Sequence, residues 1–130
     1  MVAAGHRLTA EAGADVLRDG GTALDAAIAA VAMACVSEPV LCSPGGTGYA
    51  MIRDGSTGEI SVVDFFAQTP RQARQRGGVG VRAVHAHFGP ASRAFLVGAA
   101  TSATPGLFAG GEGLLAGGAR GRGTDLFAAA

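Results

Sequence analysis

The residues able to do chemistry are few. Cys35 and Cys42 are the only cysteines, and His85 and His87 alternate along one short run. Alternating histidines on a strand face can ligate zinc. A cysteine beside an imidazole can act as a nucleophile. No Asp, Glu or Cys lies near the two histidines, however, and nothing in the sequence orients either imidazole toward Cys42. We therefore prefer the plainer reading: exposed or hydrogen-bonded histidines and reduced, core-facing cysteines, with a disulfide as the lesser alternative.

Gly45-Gly46-Thr47-Gly48 places three glycines in four positions. Such a loop can cradle an anion or serve as a tight approach to a packed strand. The phosphate loop needs GKS or GKT, and the dinucleotide loop needs GxGxxG opening a helix; neither is present. Arg71, Arg74, Arg76 and Arg82 form a cationic cluster that could hold an anionic substrate or a partner, with a solvated loop the preferred reading. GxSxG, HExxH, paired CxxC and a carboxylate dyad are all missing. From residues alone, no complete active site is legible.

The elements that would position these residues are clearer. Thr22 is a good N-cap, and Asp25 three residues later puts a carboxylate in the first turn of a helix. Leu24, Ala27, Ile28, Val31 and Cys35 fall on one stripe, with Ala23, Ala26, Ala30 and Ala34 opposite. A helix without a polar face must be covered on most sides. Glu38-Pro39 ends it. Before it, Thr9 to Arg18 reads as a helix with an apolar stripe of Leu8, Ala12, Val16 and Leu17, stopped by Gly20-Gly21. After it, Gly48–Asp54 and Glu59–Phe66 read as strands around the turn 54–58, apolar on both faces.

Residues 68–81 read as a polar, flexible loop. Ala83–Phe88 and Arg93–Gly98 read as a second hairpin around Gly89–Ser92. Thr104-Pro105-Gly106 reads as a helix start with Thr104 as N-cap. Leu107, Phe108, Gly111, Leu114, Leu115 and Gly118 form its stripe, and Arg120–Gly123 breaks it. Thr124–Ala130 then looks like a new capped helix, which marks residues 1–130 as a fragment of a larger domain.

The 130 residues suit one domain. Charged residues make up 15% and apolar ones 48%, which points to surface hidden by a partner or by further sequence. All ten basic residues are Arg and the formal net charge is zero, so nothing favours nucleic acid. No apolar run reaches membrane-spanning length, and the first residues lack a signal-peptide pattern. The expectation is a cytoplasmic protein, or one whose front has been cut away.

The chain resembles the start of the large subunit of the γ-glutamyltransferases (γ-glutamyltranspeptidases), which are N-terminal-nucleophile hydrolases. Residues 1–6, Glu11–Gly21, Ala23–Ala27, Glu38-Pro39, Gly45–Tyr49, Val63-Asp64, Thr104–Gly106 and Leu126–Ala130 carry the likeness. It is collinear, covers nearly the whole chain, and is weakest across Arg71–Val81. The resemblance implies an α/β (α+β) fold, specifically a partial αββα sandwich of the N-terminal-nucleophile hydrolase type. It also implies a self-cleaving precursor whose second subunit begins with a catalytic threonine. That threonine would attack the γ-glutamyl amide of glutathione or a related compound and pass the acyl group to an amino acid, peptide or water. No metal or organic cofactor is implied. The implied partners are the remaining large-subunit and small-subunit segments and a small γ-glutamyl substrate.

The likeness breaks at one place. Where the family carries Asp, any residue, Arg, Glu, this chain reads Asp64-Phe65-Phe66-Ala67. The family's Arg holds the substrate α-carboxylate, so Phe66 occupies the carboxylate-binding position and Asp64 the position that starts the motif. Arg71 or Arg74 could substitute. Arg7 departs too, since a Pro commonly follows the family's His. Two other functions compete: a catalytically inactive relic or interaction module keeping the packing, and a small Cys/His hydrolase.

Overall fold

The computed structural model describes residues 1–70, 80–118 and 121. The chain divides into two compact units, one formed by Met1–Phe66 with the described residues from Pro105 onward, the other by Ala67–Thr104. Together they mix helix and strand.

The first unit opens with a helical hairpin. Helix α1 spans Arg7–Arg18, two residues longer at its start than expected, because His6 caps it: His6 Nδ1 accepts the Leu8 N–H at 3.2 Å. That rotation leaves Leu8 exposed, so it drops out of the expected stripe, while Thr9 turns inward. Thr9 Oγ1 donates to Glu38 Oε2 at 2.9 Å, tying α1 to the far end of the next helix. Gly20, at φ 87°, makes the left-handed stop, with Gly21 N–H returning to Val16 O.

Helix α2 spans Ala23–Ser37 and has the expected capping box: Thr22 Oγ1 accepts from Asp25 N–H, and Asp25 Oδ2 accepts from Thr22 N–H. Ala26, Ile28 and Ala29 are buried in a core completed by Val16 and Leu114. The described residues cover α2 only in part. Ala23, Ala27 and Val31 are exposed and face an apolar cavity of about 620 Å³ between α2, the strand over Gly48–Arg53 and the helix over Leu107–Ala116.

Strands β1 (Gly48–Arg53) and β2 (Ile60–Phe65) pair antiparallel, Tyr49 opposite Asp64 and Met51 opposite Val62. Asp54 seeds their turn: its carboxylate accepts from the Ser56 hydroxyl and from the N–H groups of Ser56 and Thr57, which hold it well below the usual carboxylate range. One face of the hairpin, with Ala50, Ile52 and Val63, packs on the core. On the other face Tyr49, Met51, Ile60 and Val62 are exposed. The strands are apolar on both faces, as expected, but the described residues cover only one.

Helix α3 spans Leu107–Ala116. Thr104 is not its N-cap. The cap position falls on Gly106, because Gly46 O accepts both the Gly106 and Leu107 N–H groups and so replaces a capping side chain. Thr104 N–H instead bonds Gln68 O, within the second unit. Gly111, on the stripe, has open space where a Cβ would stand, whereas a Cβ at Gly110 would overlap the Phe65 ring. The helix ends at Gly117, ahead of the expected breaker, and Gly118 adopts φ 122°.

The second unit is a hairpin of β3 (Arg82–Phe88) and β4 (Ala91–Val97), followed by a 3₁₀ turn at Ala99–Thr101. Its turn is tighter than expected. Phe88 pairs with Ala91, and only Gly89-Pro90 intervene. Gly89 at φ 62° followed by Pro suits a type II′ turn, which matches the natural strand twist. Of the expected loop over 68–81, residues 71–79 lie outside the described residues, as does the expected helix over 124–130. No helix among the described residues is long and apolar enough to cross a membrane.

Candidate functional site

The end of β2 is the point at which sequence and geometry converge. Alternation along a strand sends Phe65 and Phe66 to opposite faces. Phe65 turns inward, where Gly48, Gly106 and Gly110 leave room for its backbone and ring; a side chain at any of these glycines would crowd it. This anchor fixes Asp64 and Phe66 on the outer face.

Asp64 Oδ1 accepts the Phe66 N–H at 2.9 Å, so the carboxylate bends the chain as it leaves the strand. The Phe66 ring then stacks on Tyr49, with centroids 5.3 Å apart and planes 12° from parallel. Offset stacking at such a separation is a favourable aromatic arrangement. The two rings remain about half exposed (61% for Tyr49, 52% for Phe66). Asp64 and Phe66 thus come together, with Tyr49 as a third member the sequence reading did not single out. The signal existed: a hairpin with its turn at 54–58 must place Tyr49 opposite Asp64.

This patch offers an apolar aromatic surface beside a carboxylate. Among the described residues no ion pair or cation–π contact reaches Asp64, Tyr49 or Phe66, and a bidentate grip on a carboxylate needs a guanidinium. The Gly-rich crossing serves packing: Gly46 O holds the start of α3, and Gly48 makes room for Phe65.

Cys35 and Cys42 are free thiols whose sulfurs lie 3.5 Å apart, both half-buried. Burial first, then the hydrogen bond and charge of Cys42, push the Cys35 thiol up to about 11. Cys42 therefore meets a sulfur and belongs to the first unit, while His85 and His87 belong to the β3–β4 hairpin, where they pair with Ala94 and Ser92. Among the described residues no three metal-ligating side chains gather. Arg71, Arg74 and Arg76 lie outside the described residues; Arg82 begins β3.

Comparison with known proteins adds the context. The sequence profile of the family described as Gamma-glutamyltranspeptidase matches residues 9–117. The chain is 42% identical over 73 residues to the glutathione hydrolase proenzyme of Bacillus subtilis subsp. natto, a match covering 56% of this chain and 12% of that one. It is 37% identical over 73 residues to the acylase ACY 1 proenzyme of Pseudomonas sp. (strain SE83), covering 56% and 13%. The chain thus spans about an eighth of the length of the curated relatives it matches. Its fold is similar to that of the gamma-glutamyltranspeptidase from Pseudomonas nitroreducens, with a TM-score of 0.74 and 23% identity over 96% of this chain and 35% of the other. The shared fold and the profile match along residues 9–117 agree, and the chain belongs to the gamma-glutamyltranspeptidase family.

Proposed function

We propose that residues 1–130 are the N-terminal part of the large subunit of a γ-glutamyltransferase-like enzyme, with its substrate preference moved away from free γ-glutamyl amino acids. The observation that carries the reading is the family match along residues 9–117. The outer face of β1–β2, which the described residues leave uncovered, supports it, since a sheet apolar on both sides calls for a second layer. In this reading the remaining segments of the same precursor supply that layer and complete an αββα sandwich.

The chemistry follows from the threonine class of nucleophile. A precursor cleaves itself and frees a threonine whose amine acts as its own general base. The hydroxyl adds to the amide carbonyl of the substrate, the amine leaves, and the acyl group then passes from the threonine oxygen to an amino acid, a peptide or water, freeing the hydroxyl. The role of the present residues is recognition. Phe66, at the position of the carboxylate-holding Arg, stacks on Tyr49 and presents a ring where a guanidinium would stand. Losing that charge-assisted pair costs about 1.5–3 kcal/mol of recognition. The aromatic surface suits an apolar or aromatic acyl group better than an α-carboxylate. The likeness to a protein named as an acylase is consistent with that shift.

The test is to read the coding DNA beyond Ala130, express the whole product, and sequence the N-termini of its fragments. A new threonine N-terminus, together with turnover of an acyl amide, is the expected result. A stop codon directly after Ala130, or a product that neither cleaves nor turns over amides, overturns the enzyme reading and leaves a packing relic.

A further inference from the structure

The two cysteines are seven residues apart, and a continuous helix would keep carrying the chain away from Cys35. Instead α2 ends at Ser37, and Glu38 O accepts both the Leu41 and Cys42 N–H groups at 2.9 Å. The chain winds back, and the two sulfurs meet at 3.5 Å. A disulfide bond is about 2.05 Å long, so the sulfurs need approach by only about 1.5 Å. Little resists that movement, because Val36, Val40 and Leu41 around the turn are exposed. These are also the only cysteines in the chain, so no other partner competes within it.

We propose that Cys35 and Cys42 form a dithiol modification site, closed to an intramolecular disulfide by a small-molecule disulfide of the glutathione type. The burial that holds Cys35 as a thiol leaves the first attack to Cys42. The Cys42 thiolate attacks one sulfur of the oxidant, breaking its S–S bond and releasing one small thiol. Cys35 then gives up its proton, attacks Cys42 Sγ and expels the second small thiol. One S–S bond is broken and one is formed. The protein loses two hydrogens, and these end on the two released thiols. The closed form ties the end of α2 to the crossing whose Gly46 O holds the start of α3.

The experiment incubates the intact chain with glutathione disulfide and follows its mass. The expected product is lighter by two hydrogen atoms. Chymotryptic cleavage after Leu41 places Cys35 and Cys42 on separate peptides, and the two stay joined until a reductant is added. Cys35→Ser stops at a stable mixed disulfide with glutathione, while Cys42→Ser, left with the Cys35 thiol that burial holds protonated, reacts far more slowly. Closure is faster in the native chain than in urea, because the fold supplies the proximity. A wild-type chain that stops at the mixed disulfide, or that closes no faster folded than unfolded, overturns the proposal.

Discussion

Asp25 Oδ1 accepts a 2.9 Å hydrogen bond from the Gly121 N–H, joining the first turn of α2 to a segment 96 residues further along the chain. Its other oxygen, Oδ2, receives both the N–H and the hydroxyl of Thr22. Asp25 is 1% exposed, and its removal strands half-buried donors at both ends of this link. Asp25→Ala is expected to cost about 2–4 kcal/mol, against about 1 kcal/mol for Thr22→Ala. Urea unfolding of both variants checks this; equal losses would show that the Gly121 link adds nothing.

Gly110 and Gly111 are neighbours in α3 with opposite demands. A methyl group at Gly110 runs into the Phe65 ring, while Gly111 faces open space. Gly110→Ala should destabilise by about 1–3 kcal/mol. Gly111→Ala should stabilise by up to about 1 kcal/mol through helix propensity. Thermal melts of the pair decide it, and a destabilising Gly111→Ala would contradict this orientation of α3.

Phe66→Arg, placed in a longer product that cleaves and turns over amides, should restore a carboxylate-binding cation. The expected change is a KM for γ-glutamyl substrates lower by about tenfold or more, with little change in kcat, since the contact is ground-state recognition. An unchanged KM would remove Phe66 from the substrate-binding role.

The Cys35 thiol gives a pH signature. It ionises near 11 in the folded chain, against an ordinary 9.0. The unfolded chain therefore gives up this proton first as pH rises. The stabilising contribution is complete below pH 9.0 and is lost as pH climbs toward about 11. Urea midpoints across that window should fall for the wild type and fall less for Cys35→Ser. In Cys42→Ser the decline should shrink as well, because Cys42 is the second cause of the shift. Identical curves for wild type and Cys35→Ser would contradict it.

Sequence alone determined the features that neighbours in the chain decide: the Thr22–Asp25 capping box, the Gly20 stop, the two hairpins, and the family to which the motifs belong. These rest on hydrogen bonds and dihedral preferences within a few residues, so they can be read from residue type and spacing. Tertiary structure decided the rest. Thr104 looked like an N-cap, but Gly46 O supplies the bonds and moves the start of α3 to Gly106. Gly111 falls on the apolar stripe read from spacing, but the position of Phe65 makes Gly110 the contact glycine. The stacking of Tyr49 on Phe66, the meeting of Cys35 with Cys42 and the reach of Asp25 to Gly121 depend on where separate elements come to rest. Packing between elements sets those distances, and no local preference of the backbone encodes them.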